Sequence, residues 1–184
     1  MNGIELMVDE HKAIKRMLSV VRKACYGVMQ GQEINYDDFA TMIDFIRGYA
    51  DAHHHGKEEQ LLFNRMVDEL GPAAQKLVTH GMLVEHDLGR LHMAELEKAL
   101  IAVKGGNEEA KLDVIANAIS YTHLLIRHID KEDGVVYPFA ERSFTPEVLE
   151  AINKDCETFE KKQTANGVQA KYIENLVILE SKYI

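Results

Sequence analysis

Along most of this chain apolar residues return every three or four positions, which is the repeat of one buried face on a helix. The first stripe is Ile4, Met7, His11, Ile14, Leu18, Val21, Cys25 and Val28, and the second is Ile43, Ile46, Ala50, His54, Glu58 and Leu61. Met82, His86, Gly89, Met93, Leu96 and Leu100 make a third; Val114, Ala118, Tyr121, Leu125, His128, Glu132 and Val135 make a fourth. Punctuation separates them. Gly31 ends the first segment, Asn35 is placed to cap the second, and Gly71-Pro72 divides the second from the third. Gly105-Gly106-Asn107 stops the third helix and caps the fourth, which Pro138 breaks, and Thr145-Pro146 starts a fifth. The helices expected are roughly 3–29, 36–69, 72–104, 108–140 and 146–183, the last interrupted near Gly167.

Each stripe carries a His where a Leu would otherwise stand, and the second and fourth carry a Glu as well. Uncompensated, such groups in one core cost several kcal/mol each, so something must neutralise them. Their arrangement repeats. Glu10-His11 returns as Glu85-His86, and the stretch His54 to Phe63 returns as His128 to Tyr137. Each half thus holds one isolated His and, 42 or 43 residues later, a His-x-x-x-Glu pair. Residues four apart on a helix differ by about 40° around its axis, so His54 with Glu58, and His128 with Glu132, point the same way. A fixed internal period marks a duplicated unit, and what is duplicated here is a ligand set sufficient for two metal ions. Imidazole with carboxylate suits iron, manganese or zinc. His55 with Glu59 has the same spacing, but alignment of the halves selects His54 with Glu58. His53, His55, His80, His92 and His123 are expected on the surface or in an outer layer, and Glu59 and Asp133 at the rim.

Composition narrows the class further. Apolar residues make up 46% of the 184 positions, as in a globular chain, and only three Pro and twelve Gly favour helix. A net charge of -9 argues against a nucleic-acid surface. Cys25 and Cys156 share no Cys-x-x-Cys spacing, which points to reduced thiols and a cytoplasmic protein. No apolar run approaches ~20 residues and no leader pattern opens the chain, so neither a membrane span nor secretion is expected. The fold class implied is all-α, with a metal-binding bundle over 1–142 and a C-terminal helix or helix pair over 143–184 packed on it.

The segments from His54 to Phe63, Met82 to Arg90, and His128 to Pro138 resemble the hemerythrin-like, HHE cation-binding family, a likeness that covers roughly residues 5–140. It implies an up-and-down four-helix bundle around an oxo- or hydroxo-bridged di-iron centre held by His11, His54, Glu58, His86, His128 and Glu132. Zinc or manganese would suit the same ligands. It also implies a small diatomic or peroxide ligand, handled by a sensor, scavenger or store. The alternatives are an enzyme that turns over peroxide, oxidises iron or repairs iron centres, and a metal-free structural bundle. Oxygen carriers of the family have His-x-x-x-His on the third helix; here Arg90 follows His86. The likeness is therefore to the four-His, two-Glu variant, which argues against reversible oxygen carriage. The cysteine-containing N-terminal module of the repair relatives has no counterpart.

Overall fold

The computed structural model describes residues 2–184, which are helical almost throughout and contain no strand. Helix α1 (Gly3–Met29) is the first of four long rods. The second joins α2 (Tyr36–Phe45), two π-helical segments (Ile46–His55 and Glu58–Phe63) and α3 (Asn64–Glu69). The third runs through α4 (Gly71–Leu77), a π-helical segment (Val78–Met82) and α5 (Leu83–Lys104). The fourth joins a 3₁₀ turn (Glu108–Ala110), α6 (Lys111–Lys131), a π-helical segment (Glu132–Val136) and α7 (Tyr137–Ser143). Short connections make consecutive rods antiparallel, giving an up-and-down bundle in which α6 lies against both α5 and α1. Helices α8 (Pro146–Ala165) and α9 (Val168–Tyr183), hinged at the left-handed Gly167, fold back over α1 and the second rod.

Local chemistry accounts for most boundaries. Asn2, Asn35 and Thr145 accept the first free amides of α1, α2 and α8 through their side chains. Two expectations shift. Asn107 makes no side-chain cap; its own amide closes the turn on Ala102. Nor does Pro138 end the fourth rod, which continues to Ser143. That proline lies in the first turn after a π-helical segment, where a missing N–H costs least.

The π-helical turns also change which residues are buried. A π turn closes on i+5 and takes up one residue more than an α turn. The simple three-four repeat selects Leu61 and Val135, but Leu61 is only half-buried and Val135 is exposed. Leu62, Phe63, Val136 and Tyr137 fill the core instead. Two apolar clusters result. One contains Met7, Phe63, Met82 and Tyr137 with Ile152 and Cys156 of α8; the other contains Ile14, Met93 and Leu125 with Tyr172 and Leu176 of α9. On every rod the candidate ligands stand between the two clusters. The polar groups therefore form one layer across the bundle, sealed above and below by hydrocarbon.

Candidate metal centre

All six residues singled out by spacing, His11, His54, Glu58, His86, His128 and Glu132, meet in that layer and are buried. The imidazoles pair by facing nitrogens: His11 Nε2 lies 2.9 Å from His54 Nε2, and His86 Nε2 lies 3.0 Å from His128 Nε2. Each carboxylate spans both pairs. Glu58 Oε2 is 3.8 Å from His54 Nε2 and 3.6 Å from His86 Nε2. Glu132 is 2.9 Å from His128 Nε2 and 3.4 Å from His11 Nε2.

The other nitrogen of each ring is held from outside. His11 Nδ1 is 2.8 Å from Asp133, His54 Nδ1 2.8 Å from Glu10, His86 Nδ1 2.7 Å from Glu59, and His128 Nδ1 2.9 Å from Glu85. An ionised carboxylate only accepts, so Nδ1 carries a hydrogen and Nε2 is the nitrogen whose lone pair is available to the centre once the ring is neutral. The rim residues Glu59 and Asp133 thus each orient the isolated histidine of the opposite half.

One candidate ligand was placed differently by the sequence reading, which expected it on the surface or in an outer layer. His55 is buried, its ring stacked on His86 at 3.8 Å between centroids, with Nδ1 held 3.3 Å from Asp51. The donor atoms of His55, Glu58, His86 and His128 lie close enough together for one ion, as do those of His11, His54, Glu58 and Glu132. The geometry thus gathers five imidazoles, not four, with Glu58 common to both groups. The fifth imidazole comes from the second rod, not from position 90 on the third. Arg90 turns outward to Asp51, Glu59 and Asp87. Of the other histidines, His53 is buried in the outer layer, His92 is half-buried, and His80 and His123 are exposed.

The fit to cations is electrostatic. Glu58 Oε2 and both oxygens of Glu132 are buried without a well-formed hydrogen bond, Glu132 despite its short approach to His128. Left to itself, the layer must recruit protons. Burial and the adjacent Glu132 push Glu58 well above the usual carboxylate range, while Tyr137 donates to its Oε1. Burial alone would also raise Glu132, but His128 and His11 hold it well below. Burial lowers His54 to about 4. In His128 it is outweighed by Glu132 and Glu85, which raise it to about 9. Divalent ions would replace those protons and satisfy every inward-facing lone pair at once.

A cavity of about 290 Å³ opens beside one half of this layer. It reaches His55 and His86 and is walled by Ile46, Met93, Tyr121 and Leu125. No helix of the described residues is long and apolar enough to cross a membrane.

Comparison with known proteins agrees with this architecture. No curated protein and no solved structure matches the chain. The family described as hemerythrin HHE cation binding domain matches residues 2–140, which contain all four rods but for the last residues of α7 and every ligand candidate. With three-quarters of its length matched by that family, and a buried histidine and glutamate cluster within the matched residues, the chain belongs to the hemerythrin HHE cation-binding family.

Proposed function

We propose that the chain holds two iron ions between its four rods and uses them to bind dioxygen, peroxide or nitric oxide, as a sensor, scavenger or store. The observation that carries this reading is the convergence of five buried imidazoles on two carboxylates that each reach both histidine pairs. His11, His54, Glu58 and Glu132 would hold one ion; His55, His86 and His128, with Glu58 shared, would hold the other. A bound iron pair would supply electrons and a coordination position for the small ligand.

The protein's own contribution is positional. The five outer carboxylates fix the ring orientations and keep the rings basic. The apolar clusters exclude bulk water, and Tyr137 steadies the shared Glu58 by donating to it. The cavity against His55 and His86 provides room for a small ligand on one side of the layer.

Elemental analysis and the visible spectrum of protein purified from iron-supplemented cells test the reading. About two irons per chain are expected, with a charge-transfer band that changes on reduction and again on adding peroxide or nitric oxide. A colourless protein carrying stoichiometric zinc would overturn it.

A further inference from the structure

Beneath α8 lies a buried charge cluster that the ligand set does not include. Glu10, His53 and Glu160 bring three buried donors together, yet the space among them is already taken by a cation. Lys57, fully buried, donates to Glu10 and, at 2.5 Å, to Glu160. Phe159 covers the cluster, its ring centroid 5.5 Å from that of His53 and 5.7 Å from Lys57 Nζ. Gln169 of α9 donates to the second oxygen of Glu160 at 2.7 Å. Both C-terminal helices therefore converge on one carboxylate.

From Glu160 the contacts run without a break into the metal layer. Glu160 holds Lys57, Lys57 holds Glu10, and Glu10 accepts from His54 Nδ1 at 2.8 Å. We infer that Glu160 is a positioning residue for His54, so that α8, which lies outside the family match over 2–140, tunes one of the two metal positions. The inference rests on the two-ion reading above. The physical reason is competition for Glu10, which accepts from His53, His54 and Lys57 together. With Glu160 present, the ammonium is shared between two carboxylates. Without it, Lys57 draws on Glu10 alone, the carboxylate polarises His54 less, and His54 Nε2 becomes a weaker donor. The other half has no such support. There Glu85 takes Lys131, whose side chain is 45% exposed, and among the described residues no second carboxylate joins that lysine.

The same helix offers a matched control. Asp155 of α8 pairs with Arg65 of the second rod at 2.7 Å and touches nothing in the metal layer. Iron-loaded wild type, Glu160→Gln and Asp155→Asn would be compared by stepwise chelator titration and Mössbauer spectroscopy, with thermal unfolding of the metal-free forms alongside. Wild type should release two irons and show two iron environments. Glu160→Gln should weaken one release step about ten-fold and alter one environment, while Asp155→Asn alters neither. Equal effects from both variants would reduce Glu160 to a docking contact, and no effect from Glu160→Gln would refute the inference while leaving the two-ion reading intact. A wild type that takes up no metal would sink both.

Discussion

The two halves of the bundle share their centre and the carboxylates that hold its rings, and differ in what surrounds that frame. Glu10, His11, His54, Lys57, Glu58 and Glu59 correspond to Glu85, His86, His128, Lys131, Glu132 and Asp133, and each set makes equivalent contacts across the layer. Outside this frame the correspondence fails. His55, at the metal layer, answers to Ile129, an apolar core residue. Tyr137, bonded to Glu58, answers to Phe63, which has no hydroxyl to offer. Gly48 lies where Tyr172 of α9 leaves no room for even a methyl group, whereas its counterpart Thr122 bonds its own helix. The internal repeat thus preserves the inward-facing donors common to both candidate positions, while the surroundings give one position a lid of helices and the other a cavity.

The largest effects should come from what the halves share. Glu58→Leu or Glu132→Leu removes a carboxylate that reaches both histidine pairs, so each variant should fall from about two ions per chain to nearly none. Because each also strands a buried partner, Tyr137 for Glu58 and His128 for Glu132, the metal-free variants should be less stable than metal-free wild type, by about 1–3 kcal/mol for Glu58→Leu and about 3–5 kcal/mol for Glu132→Leu, several degrees in the unfolding midpoint. Calorimetry with elemental analysis checks both halves of the statement. A variant that keeps two ions would break the shared-centre description.

Next come the two lysines. Lys57 and Lys131 occupy equivalent positions and hold equivalent glutamates, but one is sealed and the other half in water. Lys57→Met strands Glu10 and Glu160 without a cation and should cost about 3–5 kcal/mol. Lys131→Met should cost less than about 1 kcal/mol. Urea unfolding of the two metal-free variants gives the ratio directly, and similar costs would erase the distinction between covered and open halves.

How far the sequence disclosed this follows from where each group lies. The bundle and the six residues that repeat were legible because an α-helical period of three and four places His54 with Glu58, and His128 with Glu132, on one face. His55 was not. It neighbours His54, and a helix with one buried face has room for only one of them. Here the second rod is buried on several sides, with α8 covering His53, so three consecutive histidines all face protein. The π-helical turns, which move burial from Leu61 to Leu62 and from Val135 to Val136, leave no signature in a three-four repeat. Glu160 meets Lys57 across 103 residues of chain, and no local pattern encodes such a docking.

A subtler test makes the halves more alike. His55→Ile reproduces Ile129 and removes one imidazole from the group with His86 and His128. Metal content should fall from about two ions to about one, with the remaining ion held by His11, His54 and the carboxylates. His92→Ala, a half-buried histidine bonded to Asn117, should leave two. Retention of both ions by His55→Ile would return the centre to four imidazoles.

The smallest effect separates His54 from His128 in the metal-free protein. Both are buried, and burial alone lowers an imidazole, yet Glu132 and Glu85 raise His128 to about 9 while His54 is left at about 4. The signs of their contributions to stability are opposite. His128 binds its proton more tightly folded than unfolded, so its contribution is complete below pH 6.5 and is lost as pH rises through 9. His54 excludes its proton when folded, so its contribution is complete above pH 6.5 and is lost as pH falls toward 4. Metal-free stability should therefore fall on both sides of pH 6.5, the alkaline fall reduced in His128→Gln, where the raised Glu58 still contributes to it, and the acid fall reduced in His54→Gln. Loading with metal removes the proton from His128, so the alkaline fall should vanish in the loaded protein. Imidazole titration followed by NMR supplies the direct check: two resonances moving together near pH 6.5 would show that the halves surround their histidines alike.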